Sequence, residues 1–165
     1  MLVNWLYEAT IYSSALIVIM LVSQILHARL WLKEYPEPIR AAAAPMSGRE
    51  KLAKRLLDMP LVVIKAGYPV FSSFVNRAAL GQSYTLLVGF AHLLVLFSVF
   101  ILIDLLVLDG LIFCLITPRF VVIGGTEDLK SAYKDFRFHA RKALGDFGLS
   151  VMFSALVAGA LAVLK

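Results

Sequence analysis

Charge is scarce along most of this chain, and cysteine is scarcer. Cys114 is the one cysteine in 165 residues. It cannot close an intramolecular disulfide, and no CxxC or Cys/His spacing offers a zinc site. It lies within an apolar run and reads as a small apolar filler. No HExxH spacing is present, so no metal is expected. Nor is there a Gly-rich phosphate cradle, since Gly124-Gly125 stands alone. No Ser/His/Asp or Cys/His order suggests a nucleophile, and the GxGD pattern of an intramembrane aspartyl protease is missing. No basic cluster alternates with aromatics on a polar domain, so the net charge of +5 does not point to nucleic acid. The residues before the first apolar block, MLVNWLYE, contain no lysine or arginine. A secretory signal would open on a basic region, and Ala41–Pro45 lies too far from the block to be its cleavage site. The block is expected to remain as an anchor.

What is abundant is apolar: 61% of the residues are hydrophobic, in long blocks. That is a membrane pattern, because a small soluble protein needs polar residues to cover its surface. We expect an all-α, single-domain bundle over 1–165 with four spans, at about 9–26, 61–80, 83–103 and 147–164. The first carries no charge, with Trp5 and Tyr7 marking one interface and Trp31 and Tyr35 the other. The second holds Lys65 and Arg77 near its ends, where they can snorkel, and Pro69, which should kink it. The third is uninterrupted. The fourth has Ser150, Ser154, Ala158 and Ala162 at four-residue spacing, with Ala155 and Gly159 beside them. Small residues let helices approach closely, so this span should pack against a neighbour, within the chain or in a homo-oligomer or partner.

The connections set the topology. Residues 27–60 hold seven Lys or Arg and residues 104–146 hold six. The connection between spans two and three has Arg77, the N-terminal flank has none, and the C-terminal flank has Lys165. This asymmetry puts 27–60 and 104–146 in the cytoplasm and both termini outside, in the cell membrane. The basic flanks suit anionic lipid headgroups on the cytoplasmic face.

The stretch 105–123 is nearly long enough to be a fifth span, but crossing would put Lys130 to Lys142 outside. It is expected to dip into the inner leaflet or lie along it, broken at Asp104, Asp109-Gly110, Pro118 and Gly124-Gly125. Two amphipathic interfacial helices should serve the connections. Ser47 and Glu50 form a capping box before Gly48, with Leu52, Leu56 and Met59 on one face. Thr126 is the expected N-cap of the other, whose apolar stripe includes Phe136, Ala140, Leu144 and Phe147, with a bend at Gly145 and Gly148.

The candidate site residues are Asp104, Asp109, Arg119 and Lys65, with His92, Asp135 and His139 as further candidates. Acids within a membrane are costly and often functional. On an α-helix, Asp104 and Asp109 would sit about 140° apart. Structural ion pairs, Asp104 with Lys65 and Asp109 with Arg119, are the preferred reading over a catalytic or transport pair. Arg119 can anchor the segment, or bind a lipid phosphate or a carboxylate. His92 lacks a second histidine at its depth for haem, since His27 is at the inner end of span one. It reads as a neutral histidine bonded to Ser72, Ser73 or Tyr12. Asp135 and His139, four apart, can touch on a solvated helix face. No cofactor is implied. The chain reads as a non-enzymatic subunit, scaffold or assembly partner. The alternative is a small membrane enzyme or transporter with an acidic and basic site at the cytoplasmic face.

Overall fold

A computed structural model of the chain describes residues 1–163. Leu164, the expected end of the fourth span, and Lys165 lie outside the described residues. The architecture is all-α: 87% is helical, with no strand among the described residues. The helices are α1 (Leu2–His27), α2 (Glu37–Ala42), α3 (Gly48–Val62), α4 (Tyr68–Leu80), α5 (Leu86–Ile103), α6 (Lys130–Tyr133) and α7 (Phe136–Val163). Three helical stretches are long and apolar enough to cross a membrane: Leu2–Glu34, Leu86–Ile116 and Lys130–Val163.

Helix α3 starts as its sequence dictates. The Ser47 hydroxyl accepts from the Glu50 N–H at 3.2 Å, and the Ser47 N–H donates to the Glu50 carboxylate at 2.7 Å. That Ser47 N–H, together with the Arg29 side chain, holds the Glu50 carboxyl down at about 2. The α3 helix continues through a π turn, Val63–Gly67, into α4. Pro69 explains a contact in this region. It has no N–H to give to Lys65, four residues earlier, so the Lys65 carbonyl is left without its helical donor. The Tyr12 hydroxyl of α1 donates to it instead, at 3.0 Å. A proline defect in one helix thus becomes a link to another.

Helix α5 packs against both α1 and α7. Matching contacts give the directions. Trp5 meets His92 and Tyr12 meets Phe100, so α1 and α5 run parallel. Tyr12 meets Lys65 while Trp5 meets Asn76, so α4 runs against α1. Phe97 meets Phe153 while Asp109 meets His139, so α7 runs against α5. The expected small-residue face of α7 is buried at Ser150, Ser154 and Ala158, whereas Ala162 is exposed.

The chain departs from expectation after Ile103. No break occurs at Asp104 or at Asp109-Gly110. The helix runs on as a π-helix to Ile116, with the Thr117 N–H donating to the Ile112 carbonyl, five residues back, at 2.8 Å. Helix end comes only at Thr117, which adopts a left-handed conformation (φ 46°) before Pro118. The segment is therefore a continuation of α5 that packs into the bundle through Leu108 and Phe113.

The other cytoplasmic reading changes too. Thr126 caps no helix; its hydroxyl donates to the Ile123 carbonyl at 2.7 Å and meets the Tyr133 hydroxyl. Helix α7 instead starts after Asp135, whose carboxylate accepts from the Phe138 N–H at 3.1 Å. It runs unbroken through Gly145 and Gly148. Phe136, Leu144 and Phe147 are exposed, as are Arg137 and Arg141, while His139 and Ser150 are buried. Of the polar side chains from Phe136 to Ser150, only these two turn fully into the bundle, which supplies their surroundings.

The two connections form one cap on the end of the bundle. Tyr35, Ile39, Phe113, Val121, Ile123 and Tyr133 make its core. Tyr35 is fully buried within the protein. Its hydroxyl donates to the Val121 carbonyl at 2.8 Å and accepts from Gln24 of α1. Burial pushes the phenol well up, so it keeps its proton and its donor role. Trp5, also expected at an interface, is buried as well. Tyr35→Phe leaves the Val121 carbonyl and the Gln24 amide without this partner. It should cost about 1–3 kcal/mol in thermal unfolding of the detergent-solubilised protein. An unchanged midpoint would show that the cap is held by packing alone.

Candidate functional site

Two polar clusters are buried in the bundle, one near each end. The first joins α1, α4 and α5. Glu8 comes one turn after Trp5 and one before Tyr12, on the face of α1 that meets its neighbours. The His92 Nε2 lies 3.2 Å from one Glu8 oxygen. The other Glu8 oxygen accepts from the Tyr68 hydroxyl at 3.1 Å and from the Ser72 hydroxyl. Asn76 accepts from the Trp5 indole at 3.1 Å and donates to the Ser72 carbonyl at 3.1 Å. His92 is wholly buried, and its Nδ1 has no partner among the described residues. The Glu8 carboxylate can only accept, so a proton on Nε2 serves this contact, while the Asn76 amide nitrogen lies 3.3 Å from the same atom. Of the three partners expected for His92, Ser72 is within 3.3 Å, whereas Ser73 bonds the Pro69 carbonyl and Tyr12 the Lys65 carbonyl.

Glu8 is the residue that sequence reasoning missed. A signal for it existed: it is the one Asp, Glu, Lys or Arg in residues 1–28. A lone charge at the edge of an apolar block needs a partner, and His92 is the ionisable group that meets it.

The second cluster lies near the capped end. In a π-helix each turn bonds five residues apart, so Asp104 and Asp109 come onto nearly one face. The 140° separation expected of an α-helix does not apply. Asp109 approaches Nδ1 of the buried His139 at 2.9 Å. The ring nitrogen is not aligned for a hydrogen bond, and the contact is an ion pair only when His139 is protonated. Asp109 thus takes His139 rather than Arg119. His139 in turn takes Asp109 rather than Asp135, which is occupied as the α7 cap. Lys142, one turn further along α7, pairs with Glu34 at 3.0 Å and with Asp146 at 3.4 Å.

Asp104 has no ion pair among the described residues. Lys65, its expected partner, sets its ammonium over the Phe100 ring, 4.7 Å from the centroid. Lys65 is otherwise exposed, and this ring face is the neighbour of its ammonium. The charges that surround Asp104 are those of Asp109, Lys142, Lys65 and Asp146.

Arg119 stands apart from both clusters. It lines a cleft of about 630 Å³ at the capped end with Lys130 and Lys134. Lys65 borders a different groove, about 540 Å³ and almost wholly apolar, between the α3–α4 rod and α7. The four main candidates therefore occupy three places. No group of three or more His, Cys, Asp or Glu able to hold a metal occurs among the described residues. Compared with protein-family models, curated proteins and solved structures, the chain shows no match.

Three double-mutant cycles in detergent test these pairings. Asp109→Asn with His139→Ala, and Glu8→Gln with His92→Ala, should each show coupling of roughly 0.5–3 kcal/mol, as residues sharing one network do. Asp104→Asn with Lys65→Met should couple less than either. A stronger coupling in the last pair would restore the direct ion pair.

Proposed function

We propose that the chain is a four-span membrane protein, both termini outside, that works as a non-enzymatic subunit, scaffold or assembly partner. One observation carries the functional half. Arg119 and Lys65 line two different clefts, Asp109 lies against His139, and Lys65 sits over the Phe100 ring. A catalytic site needs its groups aimed at one reacting atom. The helix directions support the four-span half. With α1 and α5 parallel and α4 and α7 opposed, the two basic connections leave from one end of the bundle, as the charge asymmetry requires. The exposed faces agree: Leu52, Leu56 and Met59 of α3, like Leu149, Met152 and Leu156 of α7, point outward as lipid-facing side chains do. Outward Leu52, Leu56 and Met59 also fit the reading of α3 as an interfacial helix.

A second reading keeps a transporter or enzyme centred on Asp104, because Asp104 shares a face with Asp109 and has no ion pair of its own among the described residues. Rescue of a deletion strain separates the two. For a scaffold, Asp104→Asn and Arg119→Gln should restore the phenotype at normal chain levels. Loss of rescue with normal levels would favour chemistry or transport at Asp104.

Topology is tested on a Cys114→Ala background. Cysteines at Val3 and Gln82 should react with a membrane-impermeant thiol reagent in intact cells, and those at Ala44 and Ser131 should not. Labelling at Ser131 would place the basic end outside and end the four-span reading.

A further inference from the structure

We propose that the cleft containing Arg119, Lys130 and Lys134 binds the phosphate of an anionic phospholipid headgroup. The proposal rests on the membrane reading above. The first argument is charge. Three cations face a cleft of about 630 Å³, and none has a carboxylate within salt-bridge distance among the described residues. One acid, Glu127, also lines it. Its two oxygens accept from the Gly125 N–H, at 3.1 and 2.9 Å, so it is turned onto its own loop. Lys130 and Lys134 are four apart, the spacing at which like charges on a helical turn repel. Arg119 arrives from the other side, delivered by the left-handed turn at Thr117 that ends the α5 extension. An anion between them relieves that repulsion, and a guanidinium beside two ammonium groups suits phosphate oxygens.

The second argument is position, and it selects a lipid over a free phosphate. The helix from Leu86 to Ile116 has 31 residues. At about 1.5 Å each it measures at most about 46 Å, close to a bilayer with its headgroups. Its last turn therefore lies at headgroup level. Ile116 lines the cleft and is 58% exposed, and Leu115 beside it is 71% exposed. Cations above and bare aliphatic side chains below match a ligand with an anionic head and acyl chains. The shared chemistry is a phosphate group, and the experiment must separate its two sources.

Native mass spectrometry of the full chain in detergent, titrated with phosphatidylglycerol or phosphatidylcholine, provides the test. Phosphatidylglycerol should bind preferentially. Near a surface each basic residue contributes about fivefold to the attraction of an anionic lipid. Lys130→Gln and Lys134→Gln should thus each weaken binding about fivefold, and the triple change with Arg119→Gln by on the order of 100-fold. Arg49→Gln with Lys51→Gln, exposed cations on α3, should change it less than about twofold. The single lysine variants keep the test open if the triple variant does not fold. Equal losses in the control pair would mean diffuse attraction and overturn the site. Displacement of the lipid by equimolar inorganic phosphate would overturn the lipid assignment. Because the titration is done in detergent, it does not depend on orientation. External labelling at Ser131 with intact phosphatidylglycerol binding would remove the topology and leave the site standing.

Discussion

Glu8 and His92 share the contact on which the bundle depends. An ionisable group among apolar helices is expensive unless it is paired, so each of these residues fixes where the other must be. Their meeting sets the register of α1 against α5. Tyr68 and Ser72 donate to the same carboxylate, so α4 is fixed at the same level. One carboxylate thus holds three helices whose apolar surfaces alone would let them slide, because lipid tails are as apolar as leucine. The Tyr12 bond to the Lys65 carbonyl repeats the logic one helical turn further along α1, using the gap that Pro69 leaves.

The same rule shapes α7. His139, Lys142 and Asp146 meet Asp109 and Glu34 or one another, while Leu149, Met152 and Leu156 face outward. Polar groups inside and apolar groups outside is a low-energy arrangement only where the surroundings are hydrocarbon. At the capped end the pattern gives way to an ordinary core around Tyr35 and Tyr133, with its hydroxyls bonded to backbone. This core lies beside the cleft that holds Arg119, which Tyr133 also lines.

Much of this was readable in the sequence, where causes are local. The Ser47–Glu50 box fixes the start of α3 with two bonds three residues apart. The apolar runs give spans one and three, and the Ser150, Ser154 and Ala158 spacing gives the buried face of α7. Other features depend on partners far away. Glu8 and His92 are 84 residues apart, and a helical pattern read one segment at a time does not join them. The stripe Phe136, Leu144, Phe147 reads as the face of an interfacial helix that meets lipid or bundle, and on α7 it is exposed. The π-helix through Asp104 was hidden because a slip from four-residue to five-residue bonding leaves composition unchanged. That slip brought two aspartates onto one face, and the helix runs past the expected break at Asp104 to end at Thr117-Pro118.

The central claim is that a buried carboxylate–histidine contact organises the bundle in the membrane. Solid-state ¹⁵N NMR of the histidine-labelled chain in lipid bilayers tests it most directly. His92 should carry its proton on Nε2, with a shift typical of a strong hydrogen bond, and Glu8→Gln should move that resonance while leaving His27 unchanged. A His92 signal protonated on Nδ1, or one indifferent to Glu8→Gln, would contradict the account.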